Sequence, residues 1–172
     1  MLRASTLAAL ALGASALVQA GHAARVQGWT YDEPIHLAWS ERLLATGEWE
    51  RESRERFNSK TPIVIPSVLA ARASGAADVA RTRFAARLPT VAWLAALLGL
   101  VFAVGRERFG PAAGGLAAAA CALDPNLVAN ASLVTVDVPF AAATLLLLWS
   151  AVRAFERPSA GRAVLAGAAF GL

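Results

Sequence analysis

An all-α bundle of membrane-spanning helices, with a long outer loop carrying interfacial helices, is the fold class that the sequence predicts. Three observations predict it. Of 172 residues, 57% are apolar and only 16% charged, and the mean hydropathy is +0.51, above what an ordinary soluble domain carries. The charges are also bunched: residues 4–24, 88–105 and 109–123 hold no Asp, Glu, Lys or Arg, and from 109 to 152 only Asp124 and Asp137 interrupt the apolar chain. Finally, these runs approach the roughly 20 residues that cross about 30 Å of hydrocarbon. Such a composition excludes a disordered chain. One cysteine, Cys121, excludes a disulfide scaffold and reads as a small buried hydrophobe.

The first expected span covers residues 6–22. Arg3, the apolar stretch from Leu7 to Val18 and the small residues near Ala20 and Ala24 also describe a cleavable signal peptide. The further spans downstream favour a retained helix. A polar loop, residues 25–87, follows. Trp29, Tyr31, Trp39 and Trp49 cluster in it, which suits a loop lying on the bilayer surface. Within that cluster, Asp32 can cap a helix, Glu33 and Pro34 suit its first turn, Ile35, Trp39 and Leu43 recur at helical spacing, and Gly47 can end it. The alternating signs from Arg51 to Arg56 read as a solvated face. Residues 58–66 form a polar turn into a short apolar segment ending by Ser74 and Gly75, too short to span.

Arg81, Arg83 and Arg87 lead into a second span at 88–105. A third is expected at 111–128, closed by Asp124-Pro125-Asn126 as a helix-ending turn, and a fourth at 136–155. A fifth opens near 163, so the chain is expected to form one membrane domain, residues 1–172, the N-terminal part of a larger module. Arginines set the orientation: Arg3, Arg106, Arg108, Arg153, Arg157 and Arg162 fall on one side by alternate crossings, and the connection 125–135 has no Lys or Arg. This places the N-terminus in the cytoplasm and the long loop outside, in a bacterial inner membrane.

Chemistry concentrates at the outer end. Asp32 and Glu33 are adjacent carboxylates directly after a span, where neighbouring acids can raise one another's pKa and supply a base or a cation site. Asp137 opens the fourth span, and an ionisable group bordering hydrocarbon is costly enough to be a functional candidate. Lys60, the sole lysine, and Arg87 are the cations that could meet a lipid phosphate. His22 and His36 have no Cys or second His at ligand spacing, so no zinc site is expected. No cofactor motif is present, and a divalent cation beside the carboxylates stays open. The net charge is +4, but the arginines are scattered, so nucleic acid is not an expected partner.

These features, taken in order, resemble the polytopic glycosyltransferases of the C-type fold, above all the protein O-mannosyltransferases and lipid A aminoarabinose transferases. The likeness rests on Asp32-Glu33 after the first span, Lys60 and Pro62 in the loop, and Ala85-Ala86-Arg87-Leu88-Pro89 leading into the second span. It continues through Arg106-Glu107-Arg108-Phe109-Gly110, the alanine-rich third span ending at Pro125, and Asp137. Where the family carries basic-Pro-Pro-Leu, this chain has Lys60-Thr61-Pro62-Ile63. The resemblance implies a sugar carried on a polyprenyl phosphate and passed, with inversion, to the hydroxyl of an acceptor protein or glycolipid. It further implies Asp32 as catalytic base, Glu33 and Asp137 beside it, and Lys60 and Arg87 on the departing phosphate. The other readings are a non-catalytic membrane subunit that binds a partner through its outer loop, and a secreted or anchored module with a signal peptide whose later apolar stretches pack as a helical core.

Overall fold

A computed structural model describes residues 4–47, 62–75 and 78–171, and among these the chain is built of helices. In order they are α1 (Ala4–Val26), α2 (Glu33–Thr46), a 3₁₀ turn (Pro62–Val64), α3 (Ile65–Ala73), α4 (Val79–Phe109), α5 (Pro111–Ala122), α6 (Pro125–Ala131), α7 (Asp137–Glu156) and α8 (Ala160–Phe170). Three helices are long and apolar enough to cross a membrane: residues Thr6–Val26, Val79–Phe109 and Asp137–Glu156. The third expected span is instead two helices, α5 and α6, bent by 66°. Asp124 is the reason. Its carboxylate accepts from the N–H groups of Asn126 and Leu127, so the residue expected only to end one helix also caps the next.

Helix α4 is the centre of the bundle, touching α1, α3, α5, α6 and α7, while α8 folds back on α7. Its Leu94, Leu97 and Leu98 meet Ala16 and Ala20 of α1, Ala122, Ala131, and Val138 and Ala142 of α7. Alanine lets these helices approach closely, which matters in a bilayer, where packing rather than water exclusion drives association. The tightest approach is between α4 and α5. A methyl on Gly105 would lie 2.7 Å from Gly114 Cα, and one on Gly114 would lie 2.6 Å from both Phe102 O and Arg106 N. Large apolar side chains such as Val18, Leu116 and Phe140 face outward, as lipid-facing surface requires.

A second apolar cluster sits at the end of the bundle where the polar loop returns. Ile63, Val64, Ala86, Val134 and Ala143 form it, with Trp29, Leu37 and Trp93 packed around. It is the floor on which the candidate site is built.

Candidate functional site

The site begins with a helix start. Asp32 occupies the N-cap position of α2 with Pro34 in the first turn, and Gly47 ends the helix in the left-handed region at φ 70°, its N–H donating to Leu43 O. The sequence reading had Asp32 as the cap, but its carboxylate makes no capping hydrogen bond and is exposed. The expected apolar face does not turn inward either. Ile35, Trp39 and Leu43 are half-buried, whereas Glu33, His36 and Ser40, at helical spacing, face the protein.

Arg87 explains that inversion. It is fully buried on α4, and all five of its N–H groups find acceptors. Nε donates to Glu33 Oε1 at 2.7 Å, and Nη2 donates to Glu33 Oε2 at 2.7 Å and to Gly28 O at 2.7 Å. Nη1 donates to Ala24 O at 2.9 Å and Gln27 O at 3.0 Å. The guanidinium also lies 5.7 Å from the centre of the Trp29 ring. Glu33 is equally enclosed: Oε2 accepts from Thr30 N at 2.9 Å and Thr30 Oγ1 at 3.1 Å, and Oε1 accepts from Val134 N at 2.9 Å. One ion pair therefore ties the end of α1, the start of α2, the first third of α4 and the strand of chain before α7.

This geometry bears on two of the residues that the sequence singles out. Arg87 has no N–H left for a phosphate. Burial alone would raise the Glu33 pKa, but the Arg87 guanidinium and the Thr30 and Val134 N–H groups outweigh burial and hold it below the usual 4.5. Both side chains are engaged within the protein.

What the brace leaves free is Asp32, one residue before Glu33, and Asp137, in the first turn of α7; both are exposed. His36, one helical turn past Asp32, connects them electrostatically. Burial pushes its imidazole below the usual 6.5, while the Asp32, Asp137 and Glu33 carboxylates pull it up. Sequence reasoning weighed His36 only as a metal ligand and missed it. The available signal was its spacing of four from Asp32, which puts both on one side of a helix. Ser40, a further turn along, is fully buried with its hydroxyl unpartnered. Asp124 is spent on its cap, and no group of three or more His, Cys, Asp or Glu side chains among the described residues could hold a metal. Lys60, Trp49 and Arg51 to Arg56 lie outside the described residues.

Residues 58–172, about two thirds of the chain, match the family model described as dolichyl-phosphate-mannose-protein mannosyltransferase. The matched stretch includes Lys60, Arg87 and Asp137 and begins after Asp32 and Glu33. No curated protein and no solved structure matches the chain.

Proposed function

Because the chain belongs to the dolichyl-phosphate-mannose-protein mannosyltransferase family, we propose that it is the N-terminal part of an inverting glycosyltransferase fed by a polyprenyl-phosphate sugar. The acceptor is a hydroxyl, on a protein by the family's description, with a glycolipid as the other class. Transfer takes place at the outer membrane face, with the N-terminus in the cytoplasm.

In this reading Asp32 is the general base. An exposed carboxylate at a helix start, relieved of capping, can take the acceptor proton as its oxygen attacks the anomeric carbon. Asp137, on α7, shares His36 as an electrostatic neighbour with Asp32, and it orients the acceptor or shares a divalent cation with Asp32. Lys60 neutralises the departing phosphate. Glu33 and Arg87 serve as the brace that fixes the start of α2, which carries Asp32, against the chain before α7, which carries Asp137, and His36, lowered by burial, stays neutral at pH 7. The observation that carries the proposal is the split fate of adjacent acids: Glu33 is consumed by five donors, and Asp32 next to it is left free.

The test is Asp32→Asn in the full-length protein, assayed for mannose transfer from polyprenyl-phosphate mannose to a hydroxyl-bearing peptide. Loss of a general base lowers kcat by about 10²- to 10⁴-fold. Insertion and detergent melting should match wild type, since Asp32 makes no hydrogen bond that the change would remove. Undiminished transfer would take the base assignment from Asp32 and favour a partner-binding role for the outer loop.

A further inference from the structure

The other end of the bundle carries a second polar site. A cavity of about 320 Å³ opens there between the ends of α4 and α7 and the start of α8, lined by Glu107, Arg108, Arg153, Glu156, Arg157 and Arg162. Four arginines face two glutamates, and both glutamates are engaged. Glu156 takes a two-pronged contact from Arg108, at 2.6 and 3.0 Å, and Glu107 pairs with Arg153 at 3.6 Å. Glu107 also accepts from the Trp149 indole N–H at 2.9 Å, while Arg153 stacks 4.8 Å from that ring's centre. These contacts fix the walls. Arg157 and Arg162 remain as surplus charge, neither in an ion pair among the described residues, with Arg162 donating to the Arg157 carbonyl.

The surroundings specify the kind of anion. Phe109 follows Arg108 and Phe155 precedes Glu156 in the chain, and they are 79% and 86% exposed; with Trp149, whose ring meets Glu107 and Arg153, they put aromatic side chains at this end of α4 and α7, as at the edge of the hydrocarbon. Spanning helices α4 and α7 both terminate here. We propose that this cavity binds the phosphodiester headgroup of an anionic glycerophospholipid. Its two unpaired guanidiniums meet the phosphate oxygens, the paired ones hold the walls, and the phenylalanines lie along the acyl chains. The site is independent of the transfer chemistry at the opposite end.

Native mass spectrometry of the purified chain from neutral-detergent micelles, doped with phosphatidylglycerol or with phosphatidylcholine, tests it. Wild type should retain phosphatidylglycerol well above phosphatidylcholine. A basic residue near a lipid surface contributes roughly fivefold in affinity, so Arg157→Ala with Arg162→Ala should weaken retention roughly twenty-five-fold. Arg157→Lys with Arg162→Lys should keep most of it, and Arg72→Ala with Arg81→Ala, at the far end, should leave it unchanged. Equal melting of the Ala variant and wild type in lipid-free detergent establishes that the loss is not misfolding; should the Ala variant melt early, a phosphatidylglycerol-dependent rise in wild-type melting, absent with phosphatidylcholine, decides instead. Equal retention of both lipids by wild type, or a double Ala variant that melts normally and binds as wild type does, overturns the proposal. Displacement of the lipid by millimolar inorganic phosphate overturns it in favour of a soluble anion site.

Discussion

A guanidinium with no exposed surface is stable only while its partners hold. Removing one side of a buried pair leaves the other as an uncompensated charge, at a cost of about 3–5 kcal/mol. Arg87→Met and Glu33→Gln are each expected to destabilise the chain by about that much, read by denaturant unfolding in detergent. The double change Glu33→Leu with Arg87→Met should cost less than the two singles together, since no charge is then left unpaired; strict additivity would show that the two side chains act separately. Acid works in the same direction. Glu33 has a lowered pKa, so its contribution is present above 4.5 and is lost as pH falls through the folded value. His36, also lowered, begins to cost stability as pH drops below 6.5, because the unfolded chain takes up that proton first. The sequence marked Asp32 and Glu33 as a pair but not which of them was spent. Consecutive helical residues point about 100° apart, so one faces the core while its neighbour faces out. What selects Glu33 is Arg87, 54 positions along the chain, and no local spacing carries that information.

Elements were legible where charge patterning dictates them and obscure where a residue serves two helices. The charge-free runs gave α1, most of α4 and α5, and the charge-poor stretch after Asp137 gave α7, because a helix in hydrocarbon must satisfy its own backbone and cannot keep exposed charges. Asp124-Pro125 concealed a bend, since aspartate before proline both ends and starts helices, and the spacing alone does not say that the Asp124 carboxylate caps a second helix turned away from the first. Helix α2 was read by its apolar residues, yet in this setting an ion pair outbids three hydrophobes for the inward face. The α4–α5 contact was equally hidden: Gly105 and Gly114 lie in separate segments, and their meeting depends on the turn at Gly110, with φ 92°. Gly114→Val should force the two helices apart, because its Cβ would fall within 2.6 Å of α4 backbone that cannot swing away. Overpacking of this kind costs about 1–3 kcal/mol, measurable as a lower melting temperature in detergent. Gly161→Val, at a position with open space around it, is the matched control and should cost only helix propensity.

At the scale of the whole molecule, α4 sets the distance between two chemically opposite ends. Arg87 and Arg108 are 21 residues apart on it, about 30 Å at about 1.5 Å per residue, which is close to the thickness of the hydrocarbon core. One end presents Asp32 and Asp137; the other presents Arg106, Arg108, Arg153, Arg157 and Arg162. Basic residues near short loops are preferentially retained on the cytoplasmic side, so the proposed topology puts the acidic end outside and the arginine-rich end inside. In a chain with Cys121 replaced by Ala, a single cysteine at Tyr31, 86% exposed, should therefore react with a membrane-impermeant maleimide added to intact cells. A single cysteine at Phe109, 79% exposed, should react only after the cells are opened. The reverse pattern would put the acids in the cytosol and overturn the proposed outward-facing transfer site. Labelling of both positions in intact cells would mean that α4 does not cross the membrane, and the 30 Å separation would then have no bearing on sidedness.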